Sequence, residues 1–294
     1  MLDFREVTLD DKPFLEAILK NCEEFSCENT FVNLYVWQKA YGTKIALKNG
    51  SLFIKYNDGE QDSYRFPIGG DLETGLKEII DHCGGYPVFW SPLSAVFSRL
   101  PKWFTEKYIS APTRDSFDYI YLQSDLSSLQ GKKYHGKRNH ISAFSKKFNW
   151  RYEAITPDNT DKIIRCAEEW YSQNSERLDR YALCEKEGVL TVLENPDRLS
   201  VTGGAIFIDD TAVAFTLGTP ISEKVFDIFA EKALPDFASA YTVINKEFAL
   251  RELGNFKYIN RADDMGLEGL RRAKLSYHPA VILEKYIFIP KETL

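Results

Sequence analysis

The segment GKKYHGKRNH, residues 131–140, sets Lys132, Lys133, Lys137 and Arg138 beside His135 and His140. Cations this dense can hold phosphate or carboxylate oxygens, arginine with a planar fork and lysine as a point charge. Two histidines five positions apart do not share a helical face, so a joint metal site is not expected. At about 100° per residue, Tyr134, Ile141, Phe144 and Phe148 form one stripe of a helix that ends near Phe148. Lys132, Lys146 and Lys147 point away from that stripe and read as a solvated face. Lys137 and Arg138 flank it. Their stems can pack while their heads reach a cleft edge, which makes them the candidate anion-binding pair.

Two further groups could do chemistry. In YINRADDMGLEGLRRAKLSYHP, residues 258–279, a helix from Leu267 would carry Leu267, Leu270, Arg271, Lys274 and Tyr277 on one face. Two cations then sit in an apolar stripe, where charge is costly unless paired. The partner is either internal, Asp263 or Asp264 just before the helix, or an anionic or carbonyl group of a substrate. On the substrate reading, Arg271 and Tyr277 bind, and Lys274 acts at the reacting centre with Asp264 orienting a cation. In DIFAEKA, residues 227–233, Glu231 and Lys232 follow an apolar run. Neighbouring strand residues face opposite sides, so only one of the two can enter a given cleft. Glu231 is the candidate general base or amine-binding carboxylate. Its plainer role is a rim carboxylate paired with a lysine.

The elements that must position these residues follow a repeated order. FREVT reads as a strand, and DDKPFLEAILKNC and TFVNLYVWQKAYG read as helices, the second stopped by Gly42. Asn49-Gly50 marks a hairpin. DLETGLKEIIDHC is a helix, and PVFW and DYIYL are short strands. The order then recurs: strand WRYEAI, a helix over TPDNTDKIIRCAEEWYSQ, a hairpin turning at Asp209-Asp210, and strand KVFDIFAEKA. Helix FASAYTVINKEFALREL, strand FKYIN, helix LEGLRRAKLSY and one long strand AVILEKYIFI complete it. Two mixed-sheet α+β halves result, and the acyltransferase fold of the GNAT superfamily has this element order. The halves are placed at residues 1–128 and 129–294, with the active cleft in the second.

Composition fits a soluble globular chain of 294 residues, 44% apolar and 27% charged. The net charge of −6 lies wholly in the first part: residues 1–130 hold 13 Lys+Arg against 19 Asp+Glu, and the rest holds 24 of each. Such a balance argues against DNA as a partner and weakens general RNA binding. The five cysteines are scattered and no CxxC pair occurs, which suggests reduced thiols, no zinc and a cytoplasmic setting. No signal-peptide pattern or apolar run of membrane-span length appears. YPVFWSPLSAVFSRLPKWF is broken by prolines and reads as a core strand and short helix rather than a membrane contact.

The segments FVNLYVWQKAYG, GKKYHGKRNHISAF and YINRADDMGLEGLRRAKLSYHP resemble the family built around the C-terminal domain of lysyl-phosphatidylglycerol synthase. The resemblance covers nearly the whole chain. It implies tandem GNAT-like domains related in fold to the Fem-type aminoacyltransferases. It also implies transfer of an acyl or aminoacyl group from acyl-CoA or aminoacyl-tRNA to an amine or hydroxyl. The best-known members act on a lipid headgroup through a transmembrane half that this sequence lacks. A non-catalytic module binding an anionic ligand is the alternative. The chain departs from coenzyme A-dependent GNAT enzymes at the pyrophosphate loop. EKALPDFASAYT has no glycine there, and in RFPIGGDLETG the acidic Asp71 and Glu73 occupy the helix start. No nucleophile elbow, Walker loop or dinucleotide fingerprint appears, so transfer would proceed by direct attack.

Overall fold

In a computed structural model of the chain, residues 1–20, 22, 25–57, 59–92, 97–175 and 180–293 are described. Contacts divide the chain into two units. The first is 1–118 with 263–271 and 282–294, and the second is 119–262 with 272–281. The chain therefore leaves the first unit at Asp118, ten positions before the expected boundary at 128, and two later segments return to it.

The first unit holds a six-stranded sheet in the order β1-β2-β3-β4-β13-β5. Its strands are β1 (Lys44–Lys48), β2 (Ser51–Asn57), β3 (Asp62–Arg65), β4 (Val88–Pro92), β5 (Tyr108–Pro112) and β13 (Lys285–Pro290). β3 and β4 pair in parallel and the other neighbours pair antiparallel. Asn49 and Gly50, at φ 52° and 75°, make the expected hairpin turn, a conformation that suits this dipeptide. The helix Leu72–Cys83 packs Leu76 and Ile79 into a core with Phe53, Phe66, Phe89, Phe104 and Phe288. Its N-cap Asp71 accepts from the Thr74 amide at 2.9 Å, so a carboxylate already occupies the position a phosphate would take.

The second unit is built on a seven-stranded sheet in the order β12-β6-β11-β10-β9-β8-β7. These are β6 (Asp118–Leu122), β7 (Trp150–Ala154), β8 (Thr202–Ile208), β9 (Thr211–Pro220), β10 (Val225–Ala233), β11 (Tyr258–Asn260) and β12 (Val281–Leu283). β7 to β10 form an antiparallel meander, and β10 runs parallel to β11. The basic segment begins with Gly131 at φ 89° and a short turn Lys132–Tyr134, then continues as the helix His135–Lys147. Tyr134 and Phe144 are buried and Ile141 and Phe148 half-buried, as the stripe predicts. Lys132, Lys146 and Lys147 are exposed.

Several expected elements differ. FREVT contributes only a bridge from Arg5 to Ile45. The helix expected over residues 30–42 is two pieces, Phe31–Val36 and Gln38–Tyr41, interrupted at Trp37. Residue 21 of the first expected helix and 93–96 of the aromatic-rich segment lie outside the described residues. AVILEKYIFI is two strands, β12 and β13, in different sheets. The break falls at Glu284, and the next residue, Lys285, enters the first unit's core with no exposure at all. Periodicity could not reveal that break, because both strands are apolar. The helix Arg180–Glu194 and strand β5 were not read from the sequence. No helix among the described residues is long and apolar enough to cross a membrane.

Candidate active site

In the second unit, β10 and β11 share only three register pairs, Val225–Tyr258, Phe226–Ile259 and Asp227–Asn260. β11 then ends, while β10 runs on six residues to Ala233 without its parallel neighbour. A register shift between Ile228 and Ala230 interrupts the pairing with β9 just where the two strands part. Beyond it, Glu231 and Lys232 go to different partners, as strand alternation requires. Lys232 meets Glu185 at 2.8 Å and lies 4.3 Å from the Trp170 ring centroid. Glu231 meets Arg261, the residue after β11, with Arg261 Nη2 donating to Oε1 at 2.7 Å. The second oxygen of Glu231 accepts from Asn245 Nδ2, on the helix Ala240–Arg251, at 3.4 Å. The ion pair thus ties β10 to the end of β11 across the point where the strands diverge.

Aromatic rings line this pair. The Arg261 guanidinium carbon is 4.9 Å from the Tyr277 ring centroid and 5.7 Å from that of Tyr121. Burial opposes the arginine charge, but the charge of Glu231, helped by its hydrogen bond, leads the causes that offset it, and the arginine pKa is raised. Both phenols are pushed up by burial and stay protonated. Lys137 Nζ sits 3.7 Å over the same Tyr277 ring. It has no ion-pair or hydrogen-bond partner among the described residues. Burial, and then the repulsion of Arg261, bring its pKa down to about 8, partly opposed by Glu231. Arg261 Nη1 and Asn245 Oδ1 are buried without a hydrogen-bond partner. The group therefore holds two cations against one carboxylate, a spare guanidinium donor and a spare amide acceptor. Such a surplus suits a ligand that brings an oxygen acceptor and an N–H or O–H donor.

The candidates from the sequence do not form one cluster. Glu231, Lys137 and Tyr277 are brought together. Arg138 turns to the backbone instead, its Nη1 donating to the carbonyls of Leu129 at 2.5 Å and Gly131 at 2.8 Å. That guanidinium nitrogen closes the end of the helix Gln123–Ser128, so one of its anion-binding donors is spent on structure. Asp264 and Arg271 pair with each other in the first unit. Arg271 donates from Nε and Nη2 to the two Asp264 oxygens, at 2.8 Å each, and from Nη2 to Asp115 at 2.7 Å. Asp264, fully buried, also accepts from Arg114 Nη1 at 3.2 Å and the Gly266 amide at 3.0 Å. It organises the loop that enters the helix Glu268–Leu275, which is the internal pairing anticipated from the sequence. The expected face of that helix is buried only toward its end: Leu267 and Leu270 are 57% and 37% exposed, whereas Lys274 and Tyr277 are buried. Ion pairs and hydrogen bonds anchor its start, and Tyr277 packs in the core just past its end.

Lys274, in the second unit, is 8% exposed and donates to the carbonyl oxygens of Arg261 and of Ala262, the latter at 3.2 Å. Ala262 has φ 51°, a left-handed backbone that non-glycine residues hold only when their surroundings fix it. Lys274 is thus placed to set the backbone of Arg261, one step removed from the guanidinium. Lys274→Met is expected to cost about 1–3 kcal/mol, because two carbonyls lose a charged donor. Chemical denaturation measures this; an unchanged midpoint would mean the carbonyls find water at no cost.

Arg261 and Asn245 were missed in the sequence. Arg261 directly follows the strand YIN within the polar run NRADD, and Asn245 sits fully buried in a helix that buries most of its faces. For Asn245 a polar residue among Val243, Ile244 and Phe248 was the available signal, and the polar run around Arg261 gave none. A second buried group, Lys285 with Asp118 and Glu28 in the first unit, was missed in the same way. Lys285 Nζ lies 2.6 Å from a carboxylate oxygen of each. Cys27, Glu28 and Asp118 have the donor types and spacing of a metal site, but the ammonium of Lys285 already stands between the carboxylates.

At the position of the GNAT pyrophosphate loop, the second unit has a turn Pro235–Phe237 and then the helix Ala240–Arg251. The amides of Tyr241 and Thr242 are bonded to the carbonyls of Ala238 and Ser239, so they offer no open cradle.

Comparison with known proteins agrees with this architecture. A Bacteroides thetaiotaomicron protein of unknown function shares 36% identity and superposes with a TM-score of 0.91, covering 99% of this chain and 100% of that one. The C-terminal domain of a putative lysylphosphatidylglycerol synthetase from Agrobacterium fabrum is 14% identical with a TM-score of 0.69, covering 96% of this chain and 92% of that domain. FemX, at 8% identity, and a tandem GNAT protein from clavulanic acid biosynthesis, at 7%, share the fold over 99% of this chain and 98% of theirs, with TM-scores of 0.58 and 0.50. The fold is therefore α+β with two GNAT-like domains in tandem. An uncharacterised curated protein of Mycoplasmoides gallisepticum is 22% identical over 191 residues, 63% of this chain and 60% of that protein. The model of the phosphatidylglycerol lysyltransferase C-terminal family matches residues 19–289, and the chain belongs to that family.

Proposed function

We propose that the protein transfers an activated acyl or aminoacyl group, from an aminoacyl-tRNA or acyl-CoA, to an amine or hydroxyl acceptor, and that the second unit carries the site. One observation supports this above all. Where β10 and β11 part, the unpaired end of β10 is furnished with Arg261, Glu231, Asn245, Lys137 and Tyr277, and this group has a donor and an acceptor left over. Transfer by direct attack needs a polarised carbonyl and an oriented acceptor. In this reading Arg261 Nη1 and Lys137 meet the carbonyl oxygen as it gains charge. Asn245 Oδ1 accepts from the attacking amine or hydroxyl. Glu231 has both oxygens engaged and acts by orienting Arg261 and Asn245, a positioning part rather than the general base read from the sequence. Tyr277 supplies an apolar wall. Lys274 supports the backbone behind Arg261.

The family and the Agrobacterium structure point toward aminoacyl donors. The spent amides of the helix Ala240–Arg251 make coenzyme A the weaker of the two donors. The rival reading, an anion-binding module without turnover, rests on the same surplus of positive charge. Incubation with charged tRNAs and acyl-CoAs in the presence of simple amines and glycerol phosphates, followed by mass spectrometry, separates them. Product accumulating beyond one equivalent per protein supports transfer. Saturable ligand binding with no product from any donor would leave the binding module.

A further inference from the structure

We propose that Lys137 is an acylation site, at which the protein takes up an acyl group from a thioester or an acyl phosphate. This goes beyond the transfer reading: the acylation itself does not depend on it, and only the consequence for turnover rests on it. Lys137 Nζ rests on the Tyr277 ring at 3.7 Å, yet no carboxylate pairs with it among the described residues. Its charged and titratable surroundings are Arg261 after β11, Glu231 on β10, and the phenols of Tyr277 and Tyr121, which burial keeps neutral. Glu231 is held by Arg261 and Asn245 rather than by Lys137. Lys137 and Arg261 therefore lie against the same Tyr277 ring, two cations with one carboxylate held by only one of them. The ring attracts an ammonium, but burial and then the neighbouring guanidinium outweigh it and favour the neutral, nucleophilic amine, consistent with a pKa brought down to about 8. Lys132, Lys146 and Lys147 on the same segment are exposed and have no such surroundings.

The reaction balances without a further reagent. The neutral amine attacks the acyl carbonyl carbon and a C–N bond forms. The C–S bond of the thioester, or the C–O bond of the acyl phosphate, breaks, and thiolate or phosphate leaves with the electron pair. The proton lost from nitrogen passes to water. The product also fits its surroundings better than the reactant. An amide carries no charge beside Arg261, and its oxygen brings an acceptor to a cluster where Arg261 Nη1 has none. Acylation at Lys137 would neutralise one of the two cations of the proposed transfer site, so it would act as an off-state of that site.

The test uses the full chain, acetyl phosphate and acetyl-CoA in separate arms, and peptide mass spectrometry over time. Near neutral pH, Lys137 should be acetylated about tenfold or more faster than Lys146 in the same sample, because far more of it is neutral. Its rate should rise through a midpoint near 8, whereas an ordinary lysine titrates at about 10.4. Glu231→Gln should speed the labelling and Arg261→Met should slow it, since the first removes a charge that favours the ammonium and the second removes one that opposes it. Lys146 labelling serves as the internal reference, and the pH profile of the unaltered chain needs no variant to fold. Labelling by either donor in this pattern supports the site. A Lys137 rate no greater than that of Lys146, or a midpoint that stays at the ordinary lysine value, overturns it.

Discussion

Lys285→Met is expected to destabilise the protein by roughly 3–5 kcal/mol, the largest loss foreseen for any single change to a described residue. Lys285 has no exposure and bridges Asp118, also fully buried, and Glu28, at 2.6 Å each. Methionine fills the volume of the stem but leaves two carboxylates facing one another in the first unit's core. The change Glu28→Gln, Asp118→Asn and Lys285→Met together should recover much of the loss, because a neutral group of similar shape carries little desolvation penalty. The pH dependence has a definite sign. Burial works against both charges, but each ion more than offsets it for the other: Lys285 titrates well above the ordinary 10.5 and Glu28 below the ordinary 4.5. The lysine's contribution is complete below 10.5 and fades as pH climbs through its raised folded value. The carboxylate's contribution is complete above 4.5 and fades as pH falls through its lowered one. Urea titrations should therefore show a plateau between those limits that shrinks at both ends in the native chain and flattens in the triple variant. A single variant as stable as the native chain would show that water reaches the carboxylates.

The same group explains what could and could not be seen in the sequence. Patterns that rest on one local element were legible. The Asn49-Gly50 and Asp209-Asp210 hairpins, the stripe through Tyr134, Ile141 and Phe144, and the opposite facing of Glu231 and Lys232 all follow from turn chemistry and side-chain period. What failed was anything decided between elements. Lys285 begins a strand that runs between β4 and β5, in a different sheet from its sequence neighbours of β12, so AVILEKYIFI looked like one strand. Arg271 and Lys274 lie on one helical face, as spacing required. Yet only the fold could send Arg271 to Asp264 and Lys274 to backbone carbonyls. Arg138 neighbours Lys137 in sequence, but a turn of about 100° carries it to the end of the preceding helix. Of the residues that complete the proposed site, Asn245 was visible only as a polar exception among Val243, Ile244 and Phe248, and Arg261, within the polar run NRADD, gave no sign.

Arg261→Lys is expected to reduce transfer by about a hundredfold or more while leaving the fold nearly as stable. The substitution keeps the positive charge, so Glu231 stays paired and Tyr277 still faces a cation. It removes the fork. In the native chain one arm of the guanidinium, Nη2, is fixed on Glu231 at 2.7 Å, and that bond aims the other, the unpartnered Nη1. An ammonium is a single centre on a flexible stem and cannot hold Glu231 and present a second donor in a fixed direction. If charge alone mattered, the lysine variant would keep its activity. If the aimed donor matters, turnover falls although the electrostatic field is preserved. Lys137→Met provides the contrast, because it removes charge and leaves the fork; its loss should be smaller and should grow milder as pH rises past 8, where the native lysine is itself losing charge. Steady-state rates for both variants across pH, with melting temperatures as the check on folding, decide the matter. A lysine variant within about twofold of the native rate, once a transferring donor is found, would remove Arg261 Nη1 from the mechanism. If no donor transfers and the lysine variant only weakens ligand binding, the binding-module reading takes its place.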